Sequence, residues 1–366
     1  MKITEMLQRE DFYQINRDTL AAYYGNRNTR GRLYIYPRLN AIVVKCPSKA
    51  VRQYLMTEYE VRGSAVKRLA VQTYVRLCLN SFGLLADKSV KLNHCATPDT
   101  LIYPCNRKYR IFDFARQTVA VQIKAGFPTE QLKHEIAFRT RDDLPEFVPA
   151  VVSHSELGYT EQIIDGRPLA RLSDGFAQYR QEAYAQLTAY ASAFNEILSG
   201  SEYSQRLRER ALEMAGRTML RMENLIESLC EAVARQPRIV TTFSHGDLQP
   251  GNIWIENRTN KLFIIDWESW GIRSNLYDKA TLFDGLRPGN IQSYLAKDGI
   301  PMDEKTVVLL EDLIFQLEEY HSLPGEFGLD KLRQYVEQVT DWIDTHFEGR
   351  KPAQPYRPSR VRYEGE

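Results

Sequence analysis

The sequence predicts an α+β fold with a small β-rich part followed by a mainly helical part. Short β-branched runs surround one helical segment between residues 100 and 164, whereas residues 170–347 are dominated by helical periodicity. The chain has 366 residues, enough for two or three domains. Hydrophobic residues make up 43% and charged residues 26%, which excludes a disordered, collagen-like or disulfide-scaffold chain.

The first 85 residues form a block with its own α/β pattern. Two β-type runs, residues 33–36 and 41–44, flank a turn signal at residues 37–40. A helical stretch over residues 64–79 follows and stops near Gly83. We expect residues 1–85 to be an N-terminal extension of unknown role.

Residues 86–165 are predicted to be a β-rich lobe. Residues 100–103 and 109–114 flank a short turn and therefore predict a hairpin. The β-branched run over residues 118–124 ends in Lys124, and a helix begins after Pro128. Two further strands are expected, at residues 148–152 and 158–164.

Residues 166–350 are predicted to be a helical lobe, and residues 351–366 an irregular, proline-containing tail. A β-like insert interrupts the helices at residues 245–254 and 261–267. Helical periodicity covers residues 176–198, 203–234, 304–320 and 329–347.

The β-like insert carries the residues that indicate chemistry. Its first part has the spacing H-x-D-x-x-x-x-N from His245 to Asn252, and its second part is a buried-strand run that ends in Asp266. Mg²⁺ prefers hard oxygen ligands, which Asn252 and Asp266 can supply across a hairpin. Asp247 lies on the same loop and can accept the proton of an attacking hydroxyl, while His245 holds the loop. This arrangement suits phosphoryl transfer, where catalysis is mostly positioning and electrostatics.

With these motifs, the sequence resembles the aminoglycoside phosphotransferase and choline kinase-like family, which has a protein kinase-like fold. The resemblance covers roughly residues 86–347 and implies two lobes, β-rich and helical. It also implies a catalytic Asp247, a metal-binding Asn252 and Asp266, and an additional acid, Glu268, that either binds metal or substrate or is merely an acid at a strand end.

The resemblance extends to the β-rich lobe. Lys124 ends a β-branched strand, as the lysine that anchors ATP does in kinases, and Glu135 lies in the next helix as its expected ion-pair partner. Backbone groups between Gln162 and Ile164 are expected to bind the nucleotide base. The sequence departs from many kinases at the hairpin tip, residues 104–108, which contains no glycine. Arg107 or Lys108 could contact phosphate there by charge.

The predicted function is Mg²⁺-dependent transfer of the γ-phosphoryl group of a nucleotide to a hydroxyl group. ATP is the expected nucleotide and GTP stays open. The acceptor is expected to be a small molecule or a glycan or lipid precursor. The alternative is a kinase-like protein with weak or no catalysis that acts as a binding or assembly factor of coat type, which the glycine-free hairpin and the added N-terminal block favour.

The net charge of +1 hides an asymmetry along the chain. Residues 1–90 hold 15 Lys and Arg against 7 Asp and Glu, while the remaining residues hold 33 against 40. The near-neutral total argues against a dedicated nucleic-acid binder. The basic block could steer an anionic partner or could simply pack against the acidic core, and we prefer the second interpretation.

Targeting signals and cysteine usage predict a cytoplasmic protein. The first ten residues lack the apolar segment of a signal peptide, and no run of about 18 apolar residues predicts a membrane span. The five cysteines are scattered without a CxxC pair, so neither a disulfide framework nor a zinc site is expected.

Overall fold

The structure is a computed structural model that describes residues 10–24, 31–58, 65–92, 96–105, 107–172, 174–218, 222–287, 291–321 and 326–346. The predicted irregular tail, residues 351–366, lies outside the described residues, as do the first nine residues. The α+β class is confirmed, because the described chain contains one large sheet, further short strands and many helices.

The helices carry the following bounds in the part of the chain that is described: α1 Glu10–Tyr24, α2 Lys49–Glu58, α3 Ala65–Asn80, α4 Glu130–Arg139, α5 Phe176–Ala191, α6 Gly200–Ala215, α7 Glu223–Ala234, α8 Tyr277–Phe283, α9 Ile291–Leu295, α10 Met302–His321 and α11 Glu326–His346. The strands are β1 Gly31–Tyr36, β2 Ala41–Val44, β3 Lys88–Leu92, β4 Thr100–Pro104, β5 Lys108–Asp113, β6 Thr118–Ile123, β7 Val151–Ser155, β8 Gly158–Gln162, β9 Gly166–Pro168, β10 Glu196–Leu198, β11 Ile239–Ser244, β12 Ile253–Glu256, β13 Leu262–Ile264 and β14 Gly271–Ser274.

Eight strands form one sheet in the order β3-β1-β2-β4-β5-β6-β8-β7. The N-terminal block is built into this sheet, because β2 pairs antiparallel with β4 through Ile42 opposite Ile102 and Val43 opposite Leu101. The predicted hairpin forms between β4 and β5, and β5 continues to pair with β6. The N-terminal block is therefore joined to the rest of the chain through backbone pairing.

The side chains of β5 point alternately to the two faces of the sheet, which differ in their residues. We call the face that carries Lys108, Arg110 and Phe112 the site face, and the face that carries Tyr109 and Ile111 the far face. On the site face, Phe112 belongs to a buried core that includes residues of α2 and α3. On the far face, Tyr109 and Ile111 pack in a second core with Leu20 of α1. Helices of the N-terminal block thus cover both faces of the sheet.

The chain divides into two compact units. The first comprises Met1–Ile197 with Val240–Asp284, and the second comprises Leu198–Ile239 with Gly285–Glu366. The predicted domain boundaries at residues 85 and 165 both fall inside the first unit. All residues of the predicted site, from Lys124 to Glu268, also lie in the first unit.

The second unit is helical. Its α10 packs against α6, α7 and α11. The helix α6 begins with a capping box, in which Ser199 and Glu202 satisfy each other's backbone N–H groups. The single helix expected over residues 203–234 is wrong, because α6 ends at Ala215 and α7 begins at Glu223. Among the described residues, no helix combines the length and the apolar character that a membrane span requires.

Candidate active site

The loop after β11 has a backbone shape that only glycine adopts easily. Gly246 has a φ of +82°, and a Cβ atom there would lie 2.0 Å from the carbonyl oxygen of Ser269. The carboxylate of Asp278 braces the same turn, since it accepts the backbone N–H of His245 at 2.8 Å and that of Gly246 at 3.1 Å. These contacts fix the loop that presents Asp247.

His245 is fully buried and holds the loop from within. Its Nδ1 lies 3.2 Å from the backbone N–H of Asp247, and its Nε2 lies 3.0 Å from the carbonyl oxygen of Ile265. Accepting at Nδ1 and donating at Nε2 requires the neutral ring. Burial also lowers the pKa of His245 below its usual value. These contacts give His245 a positioning role, because both ring nitrogens are occupied by the backbone.

The carboxylate of Asp247 is oriented by two amide side chains. Its Oδ2 accepts from Gln249 Nε2 and from Asn252 Nδ2, each at 2.9 Å. Asn252 Nδ2 also donates to the backbone oxygen of Asp247 at 2.9 Å. The spacing predicted that Asp247 and Asn252 share a loop. Gln249 was missed, because a polar residue two positions after an acid carries no signal of its own.

The hairpin of β12 and β13 brings Asn252 next to the segment that ends in Asp266. Ile253 lies opposite Ile264, and the N–H of Ile265 donates to the carbonyl oxygen of Asn252 at 2.9 Å. Asp266 then adopts a left-handed conformation with a φ of 70°. The chain therefore turns away from the hairpin at Asp266, the residue that carries the carboxylate.

A single ammonium group joins three carboxylates at the site face of the sheet. Lys108 Nζ lies 2.7 Å from Asp266 Oδ1, 3.0 Å from Glu268 Oε2 and 3.2 Å from Glu135 Oε2. Arg110 adds a second cation, with its guanidinium 3.4 Å from Asp266 Oδ1. We call Lys108, Arg110, Glu135, Asp266 and Glu268 the charged cluster.

The pKa shifts in the charged cluster follow from burial and from neighbouring charges. Burial disfavours the ammonium of Lys108, but Asp266, Glu135 and Glu268 outweigh it and raise its pKa well above the usual value. Burial likewise disfavours the ionised Asp266, but Lys108 and Arg110 outweigh it and hold its pKa well below the usual range. For Glu268, burial dominates and raises the pKa.

The predicted ion pair between Lys124 and Glu135 is wrong, because Lys108 takes the place beside Glu135. Lys124 follows the end of β6, and its Nζ lies 5.1 Å from the centre of the Tyr109 ring on the far face. It is almost completely buried, and burial lowers the pKa of Lys124 to about 8.

The pairing register of β5 and β6 explains why Lys108, and not Lys124, lies beside Glu135. Lys108 of β5 lies directly opposite Ile123 of β6, so both side chains point to the site face. Side chains alternate along a strand, and Lys124 is one residue beyond Ile123. It therefore turns to the opposite face, where no acid of the charged cluster lies.

Glu135 is fully buried and belongs to a second polar network behind the charged cluster. Its Oε1 accepts from the hydroxyl of Tyr159 at 2.8 Å and lies 3.8 Å from Arg139. Arg139 in turn donates to Glu161 at 2.6 Å and to the carbonyl oxygen of Pro149 at 2.6 Å. These partners hold the Glu135 carboxylate in one orientation toward Lys108.

The hairpin tip between β4 and β5 is tight. The N–H of Cys105 donates to the carbonyl oxygen of Lys108 at 2.9 Å, and burial raises the pKa of the Cys105 thiol. Lys108 is buried in the charged cluster, and Arg107 is 5% exposed. Of the two cations suggested for phosphate contact, Lys108 contacts three carboxylates directly, and the charge of Arg107 also acts on Glu268.

The predicted base-binding segment follows β8. Gln162 is exposed and lies opposite Thr118, and the N–H of Ile163 donates to the carbonyl oxygen of Gln117 at 3.0 Å. Ile163 and Ile164 line a cavity of about 520 Å³. The structure thus places the segment from Gln162 to Ile164 at the edge of an opening in the first unit.

Three carboxylates of the charged cluster lie close enough together to bind one cation. Oxygen atoms of Glu135, Asp266 and Glu268 lie within 4.8 Å of one another. Glu135 is fully buried and also accepts from Tyr159, whereas the side chains of Asp266 and Glu268 are 26% and 30% exposed, so these two are the better candidates. Asn252 borders the same hairpin end, since its backbone oxygen accepts the N–H of Ile265. This set of hard oxygen donors fits Mg²⁺, which usually takes one or two carboxylates and completes its shell with water and phosphate.

Comparisons with known proteins give structural matches only. No protein-family model and no curated protein sequence matches the chain. A thermostable mutant of aminoglycoside phosphotransferase APH(4)-Ia matches at 12% identity and a TM-score of 0.44, covering 69% of this chain and 96% of that one. A choline/ethanolamine kinase family protein from Mesorhizobium loti matches at 12% identity and a TM-score of 0.43, covering 67% and 87%.

A third structure, a GDP and kanamycin complex of an APH(2")-type enzyme, matches at 19% identity and a TM-score of 0.42, covering 67% of this chain and 92% of that one. These structures belong to the two groups of phosphotransferase named in the resemblance.

Proposed function

We propose that the chain is a nucleotide-dependent phosphotransferase that moves a γ-phosphoryl group to a hydroxyl group of a small molecule or of a glycan or lipid precursor. The charged cluster next to the Asp247 loop carries this proposal. It combines an ammonium group, two carboxylates suited to a divalent cation and a carboxylate oriented by two amides. Phosphoryl transfer needs this set of parts, because its developing charge spreads over phosphate oxygens.

Each part has a proposed role. Asp247 accepts the proton of the attacking hydroxyl, and Gln249 and Asn252 hold its carboxylate in place. Lys108 binds phosphate oxygens, with Glu135 as the residue that positions it. Gln162 to Ile164 bind the base through backbone groups. His245 and Asp278 keep the loop in shape.

Asp266 and Glu268, with the Asn252 oxygen, would hold Mg²⁺. The bound cation would supply charge neutralisation on the phosphate oxygens. Asp266 is suited to this role because its pKa is held well below the usual range, so it stays ionised at neutral pH. Glu268 has the opposite shift, and a bound divalent cation would favour its ionised form.

Thermal unfolding of the full chain with ATP and Mg²⁺, and separately with GTP and Mg²⁺, tests nucleotide binding. We expect at least one nucleotide to raise the Tm, because a ligand that binds only the folded state stabilises it. A phosphorylation screen over hydroxyl compounds then identifies the acceptor, with Asp247→Asn as the inactive control. A Tm that neither nucleotide changes contradicts the proposal.

The alternative is a kinase-like binding or assembly factor. One observation favours it, namely that Lys108 and Arg110 already neutralise Asp266 without any nucleotide. Under this alternative the cluster is purely structural. Neither nucleotide would then shift the Tm, and no hydroxyl compound would be phosphorylated.

A further inference from the structure

The cavity of about 520 Å³ has a wall that comes from the N-terminal block. Ala50, Gln53, Tyr54 and Thr57 of α2 line it. Their spacing of three and four residues places them on one side of the helix. The opposite wall is the segment after β8, from Ile163 to Pro168. The cavity is therefore enclosed jointly by the extension and by the predicted base-binding segment.

The wall that α2 provides is anchored to the site face of the sheet. The Tyr54 ring lies 5.2 Å from the ring of Phe112 and 5.2 Å from that of Phe114, centre to centre. Val51 and Leu55, on the buried side of the helix, are completely shielded from solvent. Such packing fixes the position of Tyr54 and of the residues on the same side of α2.

The cavity and the charged cluster lie on the same face of the sheet. Phe112, against which Tyr54 packs, is four residues from Lys108 along β5, which corresponds to about 13 Å. An extended nucleoside triphosphate covers this kind of distance between its base and its terminal phosphate. A nucleotide with its phosphates at Lys108 would therefore bring its base to the wall formed by α2.

The third wall connects the cavity to the catalytic loop. Trp254 lines the cavity and lies in β12, two residues after Asn252. The indole Nε1–H of Trp254 is buried and has no acceptor among the described residues. A ligand with an acceptor atom would satisfy this group, as buried polar groups require.

We propose that α2 forms the outer wall of the nucleotide-base site, so that the N-terminal block is a component of nucleotide binding. This inference rests on the proposed function. The aromatic side chains of Tyr54 and Trp254 offer flat surfaces for a planar heterocyclic base, and the amide of Gln53 offers both a donor and an acceptor at its edge. This gives a proposed role to the N-terminal block, whose role the sequence leaves open.

Filling the cavity from α2 alone tests the inference. Ala50→Trp and Gln53→Trp each place a large ring on the cavity side of α2 without touching the catalytic loop or the charged cluster. Lys49→Trp is the matched control, because Lys49 is exposed on the same helix and does not line the cavity. The measurement is the Kd of fluorescent ATP and GTP analogues with Mg²⁺ on the full chain.

We expect both cavity variants to raise the Kd at least tenfold while Lys49→Trp leaves it unchanged. Thermal unfolding without nucleotide verifies that the variants are folded, and exposed Gln53 is the substitution that the fold tolerates best. If the unaltered chain binds nucleotide and both cavity variants bind it equally well, the inference is wrong and the proposed function stands. If the unaltered chain binds neither analogue, both are wrong.

Discussion

The ammonium of Lys108 lies 3.2 Å from the carboxylate of Glu135, and this pair joins β5 to the helix α4. A lysine on β6 was expected in this position. In the structure the lysine comes from β5 instead of β6, whereas its acid partner is the predicted Glu135. The pairing register of β5 and β6 accounts for this, because Lys108 and Ile123 lie opposite each other on the site face.

Replacing Lys108 by methionine is expected to abolish phosphoryl transfer. The variant loses the cation proposed for the phosphates and leaves the buried Glu135 with only the more distant Arg139 as an ion-pair partner. Removing one partner of a buried ion pair also costs about 3–5 kcal/mol of stability. Activity and urea unfolding measure the two effects. A Lys108→Met protein that transfers phosphate at the original rate would exclude the role proposed for Lys108.

Replacing Lys124 by methionine is expected to leave phosphoryl transfer intact and to stabilise the fold. Burial lowers the pKa of Lys124 from 10.5 to about 8, so the folded state binds its proton less tightly than the unfolded state does. At pH 7 the lysine is charged in both states. Burying the charged ammonium then lowers the free energy of unfolding by its full amount, about 3 kcal/mol at most.

The pH dependence provides a sharper test of the same residue. As the pH rises from about 8 to 10.5, the folded protein releases this proton first, and the destabilisation due to Lys124 disappears. The difference in unfolding free energy between Lys124→Met and the unaltered chain should therefore be largest below pH 8 and shrink toward pH 10.5. A difference that stays constant over this range would contradict a buried, uncompensated lysine.

Asp247→Asn is expected to reduce turnover by several orders of magnitude with little change in nucleotide affinity. The amide keeps the shape of the side chain but cannot accept a proton from an attacking hydroxyl. Single-turnover kinetics and calorimetric titration with nucleotide separate the two quantities. Comparable losses in turnover and in affinity would assign Asp247 to nucleotide binding instead.

Asp266→Asn is expected to weaken the binding of nucleotide in the presence of Mg²⁺ by at least tenfold. The carboxylate is a proposed metal ligand, and its pKa is held well below the usual range by Lys108 and Arg110 despite burial. Its contribution should therefore persist down to pH 5. Calorimetric titrations with and without Mg²⁺ provide the measurement, because the loss should be confined to the Mg²⁺-containing series.

Gly246→Ala is expected to disrupt the loop that presents Asp247. Gly246 has a φ of +82°, and the added methyl group would meet the carbonyl oxygen of Ser269 at 2.0 Å. Gly251→Ala is the matched control, since nothing lies within 4 Å of a Cβ at that position of the same loop. We expect a lower Tm and lost activity for Gly246→Ala only. Equal effects of both substitutions would show that loss of glycine flexibility, rather than the contact with Ser269, is responsible.

The sequence predicted the parts of the site that are close together in the chain. Asp247 and Asn252 share one loop, and a short hairpin then brings Asp266 to them, so spacing alone is informative. The lysine could not be assigned in this way. A shift of one residue along a strand reverses the face to which a side chain points, and only the pairing of β5 with β6 decides it.

The N-terminal block shows the same limit at the level of the fold. Its β-type runs were predicted, but not that β2 would pair with β4 and extend the sheet. Pairing between strands that are almost 60 residues apart leaves no periodic signal in either of them. The position of α2 beside the cavity, on which its proposed role rests, could be found only in the structure.

The first unit consists of two stretches of chain separated by residues 198–239, and this has a consequence for synthesis on the ribosome. When residue 197 has been made, Lys108 and Glu135 are already present, but Asp266 and Glu268 are not. At 5–20 residues per second, the missing acids follow roughly 4–14 seconds later. During that interval Lys108 and Arg110 lack Asp266, the acid that lies close to both of them in the complete chain.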